Sequence, residues 1–167
     1  MPTHRVPYLA ALLAVAGCGT APAAVPQPPS APTEMVAKAC RVVDGRAAAA
    51  CTPGALNPQV TQGTVDTTVC VPGWTDKAQP PAHLVTELKL RQMRDFAEPG
   101  PARNYKEDHL IPLSLGGAPS DPRNLFPQPA AKTTEKEDLE EQLHKAVCAG
   151  QMSLADAQAK MKHDWTR

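Results

Sequence analysis

The sequence predicts one small α+β domain in which helices flank a pair of strands, preceded by a loop-rich segment braced by disulfides. The chain has 167 residues, with 19 Pro, 10 Gly and only 4% aromatic residues, so it has room for one core plus non-globular sequence. Short apolar runs on either side of a Gly-Gly pair have the length of strands, and two longer stretches have the apolar spacing of helices.

The first 34 residues indicate an export signal followed by a spacer. A basic start, an apolar run over residues 6–17 and small residues at its end follow one another in the order of a secretory signal, assigned to residues 1–17. The apolar run has 12 residues, fewer than the ~20 that a membrane-spanning helix needs. Residues 18–34 contain five Pro and four Ala, a composition that predicts an extended linker.

The residues Val15-Ala16-Gly17-Cys18 resemble the lipobox of bacterial lipoproteins. The resemblance implies cleavage before Cys18 and attachment of lipid to that cysteine, which would anchor the protein to the outer face of a membrane in the cell envelope. An ordinary signal peptide with an incidental cysteine is the alternative, and it would leave the protein periplasmic or secreted.

The remaining cysteines, Cys40, Cys51, Cys70 and Cys148, agree with export, because an even number in an oxidising compartment favours two disulfides. Three pairings are open; we favour Cys40 with Cys51, which are close in the chain, and Cys70 with Cys148. None of these cysteines has the C-x-x-C spacing of a structural zinc site. Basic and acidic residues number 17 each, so net charge indicates no class of partner.

The first half of the domain is predicted to be irregular, with one short helix or strand, and a longer helix follows it. Over residues 35–83, turn-forming Pro and Gly pairs recur with only short apolar pieces between them. Residues 82–97 lack Gly and Pro, and Leu84, Leu88 and Phe96 recur at helical spacing, so we expect a helix there.

Two more helices are predicted near the C-terminus. Thr134-x-x-Glu137 has the pattern of a capping box, and Gly150 is placed to end the helix that it opens. The apolar stripe of this helix comprises Leu139, Leu143 and Val147. Ser153-x-x-Asp156 opens the second helix, whose stripe comprises Leu154, Ala157, Met161 and Trp165.

The segment before these helices carries the residues with chemical potential. Asp108 and His109 precede an apolar run over residues 110–115 that predicts a strand, Gly116-Gly117 predicts a sharp turn, and residues 124–126 predict a returning strand. The predicted order is therefore strand, loop, strand, helix. Since adjacent residues point to opposite sides of an extended strand, Asp108 and His109 can act together only if the strand twists or ends there.

The ordered set Asp108-His109, Gly116-Gly117 and Asn124-Leu125 resembles the His-Me finger (ββα-metal) nucleases, in particular the HNH endonucleases. The resemblance covers residues 105–148. It implies that these residues form a ββα-metal unit, the centre of a nuclease domain over residues 35–167.

The resemblance implies a role for three residues. His109 matches the general base that takes a proton from the attacking water, and Asp108 matches a ligand of one divalent ion, Mg²⁺ or Mn²⁺. Asn124 matches the residue that orients the histidine or braces the strands, and we expect it to face His109 across the strand pair. The structural alternatives are a buried, hydrogen-bonded histidine at His109 and a turn residue at Asn124.

The sequence departs from the HNH pattern where a further histidine or asparagine ligand is expected, because residues 132–135 contain neither. Four side chains on one face of the following helix could replace it: Glu137, Glu140, Glu141 and His144. We favour Glu140 and His144 as metal ligands, since Glu137 has a role in the predicted capping box. A solvated acidic face is the alternative for each of these residues.

Two functions follow from these patterns. The first is an exported, lipid-anchored, monomeric endonuclease that hydrolyses phosphodiester bonds of nucleic acid, DNA ahead of RNA, with Arg103, Lys106 and Arg123 as candidate phosphate-binding residues. The second is a non-catalytic envelope lipoprotein that uses a degenerate HNH-like scaffold for binding. The missing third ligand favours the second function, and the basic residues near the motif favour the first.

Overall fold

The computed structural model describes residues 40–163, and these residues form a mixed α+β fold, as predicted. The strands are β1 (Val42–Val43), β2 (Arg46–Ala47), β3 (Tyr105–His109) and β4 (Leu125–Pro129). The helices are α1 (Trp74–Ala78), α2 (Ala82–Asp95), α3 (Thr133–Cys148) and α4 (Leu154–His163). The signal and linker predictions for residues 1–34, Cys18 included, and the placement of Trp165 lie outside the described residues.

The N-terminal segment is more ordered than its turn-rich sequence predicts. Strands β1 and β2 pair antiparallel, and Asp44 and Gly45 between them both have positive φ, which is typical of the Asp-Gly turn of a tight hairpin. The disulfide between Cys40 and Cys51 closes this hairpin region.

Helix α2 lies close to its predicted bounds and is attached to the second sheet by a buried glutamine. Pro81 precedes its first residue, and Leu88, Gln92 and Met93 are buried. Gln92 donates through Nε2 to the backbone oxygens of Pro122 (3.0 Å) and Leu125 (2.9 Å). A side-chain amide on α2 therefore satisfies carbonyls at the start of β4, a position where a loop enters the sheet.

Strands β3 and β4 form an antiparallel pair with Tyr105 opposite Pro129 and His109 opposite Leu125. The prediction of a strand over residues 110–115 is wrong, because β3 ends at His109 and residues 113–115 form a 3-10 turn. Residues 110–118 are all buried, so burial along this run does not alternate as in a strand with one solvated face. The strand is instead the polar run Tyr105-Lys-Glu-Asp-His, in which buried and exposed residues alternate at its start.

The apolar residues 110–115 contribute to both clusters of the hydrophobic core. Leu110 belongs to a small cluster with Cys40, Phe96 and Phe126. Ile111 and Leu115 belong to the larger cluster, which also contains Val60, Val65, Val69, Leu143, Val147, Leu154, Ala157 and Met161. The apolar run therefore packs as a buried loop between helices α3 and α4 and the N-terminal segment.

Helix α3 ends as predicted but does not begin as predicted. Its first residue is Thr133, no side chain caps it, and the carboxylate of Glu137 lies 2.6 Å from Lys106 Nζ instead of at the helix start. The capping box is therefore wrong. At the other end, Gly150 has positive φ, its N–H donates to Val147, and Gln151 N–H donates to Ala146, the Schellman arrangement that the glycine predicts.

Helix α4 begins as predicted at Ser153. Ser153 Oγ accepts a hydrogen bond from Asp156 N–H at 3.0 Å and donates to Asp156 Oδ2 at 2.7 Å. Leu154, Ala157 and Met161 of the predicted stripe are buried.

Both disulfides have the favoured pairing, Cys40 with Cys51 and Cys70 with Cys148. The second joins the N-terminal segment to the end of α3 across 78 residues of sequence. Disulfides of this kind indicate folding in an oxidising, extracellular or periplasmic compartment. Within residues 40–163, no helix is both long and apolar enough to span a bilayer.

Candidate active site

A cleft of about 520 Å³ opens beside the end of β3. One wall is β3 with the turn that follows it, another is the start and middle of α3, and the third is the segment from Val69 to Gln79. Five predicted site residues line it: Lys106, Asp108, His109, Glu140 and His144. Asp108 and His109 both line the cleft, and the strand ends at His109, which is one of the two conditions that their adjacency requires.

His109 is held in one tautomer by the backbone. Its Nε2 lies 2.9 Å from the carbonyl oxygen of Pro119, and since a carbonyl only accepts, the hydrogen is on Nε2 and Nδ1 carries the lone pair. Burial is the main cause that lowers the pKa of His109 below its usual value, with Lys136 and Lys106 acting in the same direction. The hydrogen bond to Pro119 and the charge of Asp108 oppose this shift. His109 is therefore a neutral imidazole at neutral pH.

Asp108 is paired with a buried lysine that the sequence reasoning missed. Lys136 Nζ lies 2.8 Å from Asp108 Oδ2, and the two side chains are 2% and 14% exposed. Lys136 is in the first turn of α3. Helical spacing in the sequence indicated its burial. Lys136 precedes the buried Leu143 by seven residues, two helical turns, and so lies on the core-facing side of the helix.

The helix residues proposed as metal ligands already have other hydrogen-bond partners. Glu140 Oε1 accepts a hydrogen bond from Ser114 Oγ at 2.6 Å. His144 Nε2 donates to the carbonyl oxygen of Val69 at 2.9 Å. Each contact fastens α3 to a different wall of the cleft, so both side chains have a structural role there.

The ligand atoms of the predicted set Asp108, Glu140 and His144 do not all lie within 4.8 Å of one another. Within residues 40–163, the one trio of His, Cys, Asp or Glu side chains whose ligand atoms all lie within 4.8 Å of one another is Cys70, His144 and Cys148. That group could hold a metal ion only after reduction, because the two sulfurs are joined as a disulfide. At Asp108, the ammonium of Lys136 lies where a cation would bind Oδ2. The residues present therefore do not fit a divalent-ion site of the predicted kind.

Asn124 braces the loop and does not face His109. The residue is fully buried, its Oδ1 accepts from Ile111 N–H at 2.9 Å, and its Nδ2 donates to the oxygens of Ile111 (2.9 Å) and Ala118 (3.1 Å). Of the two predicted roles, the contacts are those of bracing. A Cβ at Gly117 would lie 1.8 Å from the Ile111 oxygen, so this close approach of the chain requires glycine.

Glu107 is a second residue that the sequence reasoning missed. It lines the cleft, is 8% exposed, and neither carboxyl oxygen has a hydrogen-bond partner. Burial raises the pKa of Glu107 to about 8, an effect that Lys89 opposes and Asp108 reinforces. The carboxyl is therefore protonated at neutral pH. The sequence indicates this burial only through alternation, because Glu107 is two residues after the buried Tyr105 and so lies on the same face of β3.

The basic residues proposed to bind phosphate are only partly placed at the cleft. Lys106 lines it but is paired with Glu137 at 2.6 Å. Arg123 is exposed and paired with Asp121 at 2.6 Å, and Arg103 is exposed in a 3-10 turn before β3. Neither arginine lines the cleft, and phosphate binding by these two residues stays a prediction.

Comparison of the chain with protein-family models, with curated proteins and with solved structures finds no match in any of the three. The α+β domain has a neutral histidine, a lysine–aspartate pair and a protonated carboxyl around one cleft.

Proposed function

We propose that this chain is an exported enzyme that cleaves phosphodiester bonds of nucleic acid, with His109 as its general base. One observation carries the proposal. His109 lines a cleft as a neutral imidazole whose Nε2–H is fixed by the Pro119 carbonyl, so Nδ1 is the basic atom. The fixed tautomer presents one defined basic nitrogen, and the lowered pKa of His109 keeps that nitrogen unprotonated near neutral pH.

The arrangement around His109 supports the same function. Strand β3, a loop, strand β4 and helix α3 follow one another in the order that the resemblance to HNH endonucleases implies. His109 is the last residue of β3, and Asn124 holds the loop that carries the Pro119 carbonyl close to the histidine. The loop therefore positions the imidazole through the backbone, and Asn124 acts as a positioning residue.

The divalent ion that the resemblance implies, Mg²⁺ or Mn²⁺, enters this proposal only as an additive to be tested. Asp108 offers its Oδ2 to Lys136, and Glu140 and His144 are engaged elsewhere. We therefore assign no catalytic step to a metal ion. The cations of the chain that line the cleft are Lys136 and Lys106, and each is also paired with a carboxylate.

Export supports an extracellular or envelope substrate. Two disulfides require an oxidising compartment for folding, and the signal-like residues 1–17 with Cys18 provide a route to the envelope. Nucleic acid outside the cytoplasm is the substrate that such a location gives access to.

The proposal is tested with the full chain, produced with its disulfides, on supercoiled plasmid and on labelled RNA. Each substrate is offered with EDTA, with Mg²⁺ and with Mn²⁺. We expect His109→Ala to lower the cleavage rate by ~10²- to 10⁴-fold, the usual contribution of a general base. The parent rate should level off at a lower pH than it would with an unshifted histidine, because burial lowers the pKa of His109.

His83→Ala is the matched control, since His83 is exposed on α2 and does not line the cleft. It should cleave at the parent rate, and thermal unfolding should report that both variants fold. Equal cleavage by His109→Ala and the parent would reject the catalytic role.

A non-catalytic binding scaffold is the second candidate. The specific observation in its favour is that Asp108 and Glu137 are both neutralised by lysines, which a purely structural cleft would also display. Absence of cleavage of DNA and RNA under all three conditions would favour this candidate over the enzyme.

A further inference from the structure

We infer that Lys136 takes the place of the divalent ion and that this chain cleaves RNA, through attack of the 2′-hydroxyl, without a bound metal. The inference rests on the proposed phosphodiester cleavage and deepens it. It starts from the disagreement at Asp108, where the resemblance implies a metal ligand and the structure has an ammonium group at 2.8 Å.

The fold buries the Lys136 side chain and holds it at the cleft. Its side chain is 2% exposed, yet it lines the cleft. Burial of an ammonium group is unfavourable unless the charge is compensated, so a lysine at this depth requires Asp108 as its partner. The first turn of α3 sets its position, on the helix from which the HNH pattern would draw a further ligand.

The ammonium group retains hydrogen-bonding capacity toward a ligand. An ammonium has three N–H donors, and within residues 40–163 the Lys136 ammonium pairs with Asp108 alone. Two donors of a nearly buried cation therefore remain for a phosphate oxygen. A second cation on Asp108 would sit beside this ammonium and be repelled by it, which disfavours an ion at the same carboxylate.

The ammonium group at Asp108 has a consequence for the kind of nucleophile that the site can use. An ammonium group stabilises charge on phosphorus by electrostatics and hydrogen bonds, but it does not generate a hydroxide nucleophile as a metal ion does. An internal nucleophile offsets this loss, because well-oriented intramolecular reactions reach effective molarities of ~10⁵ to 10⁸ M. RNA has such a nucleophile, its 2′-hydroxyl, and DNA lacks it.

The step uses only groups that the chain and the substrate supply. His109 Nδ1 takes the proton of the 2′-hydroxyl, a bond forms between the 2′-oxygen and phosphorus, and the bond from phosphorus to the 5′-oxygen breaks. The leaving 5′-oxygen takes a proton from water, and His109 returns its proton to solvent. The products are a 2′,3′-cyclic phosphate and a 5′-hydroxyl, with Lys136 placed to stabilise the charge on the phosphoryl oxygens.

The experiment compares an RNA oligonucleotide with the DNA of the same sequence and with a DNA that contains one ribonucleotide. The full chain, with its disulfides formed, is assayed in EDTA and, in parallel, with Mg²⁺ or Mn²⁺. We expect cleavage of the RNA in EDTA, cleavage of the mixed strand 3′ to its ribonucleotide, and 2′,3′-cyclic phosphate ends by mass spectrometry.

Lys136→Met should lower the rate in EDTA by at least ~10²-fold, the scale of one preorganised charge-stabilising group. Lys145→Met is the matched control, because Lys145 lies on the same helix, is exposed and pairs with Glu141. If Lys136→Met fails to fold, the double variant Asp108→Asn with Lys136→Met removes both buried charges together. Thermal unfolding reports its stability, and it should be folded and inactive.

The outcomes separate this inference from the proposed function. Cleavage that requires Mg²⁺ or Mn²⁺ and stops in EDTA overturns the inference and leaves the proposed function standing. Parent-like cleavage in EDTA by a folded variant without Lys136 also overturns it. No cleavage of any substrate under any condition rejects the proposed function itself.

Discussion

Glu107 illustrates how a single buried group couples the cleft to pH. Its carboxyl is buried, is influenced by the charges of Lys89 and Asp108, and has no hydrogen-bond partner for either oxygen. The folded state keeps this proton up to pH about 8, whereas an unfolded chain releases it near 4.5. The unfolded state therefore binds fewer protons over that window, and stability should fall as pH rises through it.

We predict that Glu107→Gln removes this dependence. Above pH 8 the variant should be more stable than the parent, by at most about 5 kcal/mol, because the shift is about 3.5 pKa units at 1.36 kcal/mol each. At pH 4 the two proteins should be similar. Urea unfolding at pH 4, 6 and 9 measures the difference.

Glu87→Gln is the control for the same substitution at an exposed position of α2. It should leave the pH dependence of stability unchanged. A stability difference between Glu107→Gln and the parent that is the same at pH 4 and pH 9 would contradict the assigned titration.

At the scale of elements, helix α3 forms one wall of the cleft and is fastened at several points. Near its start, Lys136 pairs with Asp108 and Glu137 with Lys106, both on β3. In its middle, Glu140 binds Ser114 and His144 binds Val69. At its end, Cys148 is bonded to Cys70. The helix therefore depends on partners far from it in sequence.

We predict that loss of the Cys70–Cys148 disulfide is the more damaging of the two. In the chain-entropy treatment, a loop of 78 residues gives roughly 4.5 kcal/mol, and a loop of 11 gives roughly 3 kcal/mol. The double variant Cys70→Ser with Cys148→Ser should also loosen the Val69 side of the cleft and lower any cleavage activity. Urea unfolding without reductant measures both losses.

The double variant Cys40→Ser with Cys51→Ser is its control, because that disulfide closes the hairpin region and neither cysteine lines the cleft. It should retain the activity of the parent. A larger loss of stability in this control than in the Cys70 and Cys148 variant would contradict the prediction.

At the scale of the whole molecule, one disulfide-braced domain follows a sequence segment with the features of an export signal. The domain has an N-terminal hairpin, a central strand pair and two C-terminal helices around one larger core. Its two disulfides suit an oxidising compartment. We propose that residues 1–17 direct export and that lipid on Cys18 holds the protein at the envelope.

We predict that metabolic labelling with a palmitate analogue marks the protein and that Cys18→Ser removes the label. The physical reason is that stable anchoring requires more than one acyl chain, which a lipobox cysteine would acquire. Ala21→Ser is a matched control within the linker and should keep the label. An unlabelled parent, or a mature N-terminus at a residue other than 18 by mass spectrometry, would reject the anchoring.

Local patterns in the sequence were sufficient for several features. The bounds of α2, the Ser153 start of α4 and the Gly150 end of α3 follow from short-range signals, and the favoured pairing of the cysteines is also confirmed. The helix signals depend on residues a few positions apart. The even count of cysteines predicted two disulfides, and the closeness of Cys40 to Cys51 in the chain favoured the pairing among the three that were open. The local motif also identified two residues of the candidate site, since Asp108 and His109 both line the cleft.

Only the tertiary structure decided what surrounds those two residues. The apolar run after His109 is a buried loop rather than a strand because it is enclosed by core on both sides, and no period in the sequence reports two-sided enclosure. Lys136 lies against Asp108 because α3 packs beside β3, 28 residues earlier in the chain. Such long-range pairings decide between a metal and an ammonium group at Asp108, since they depend on packing and not on local spacing.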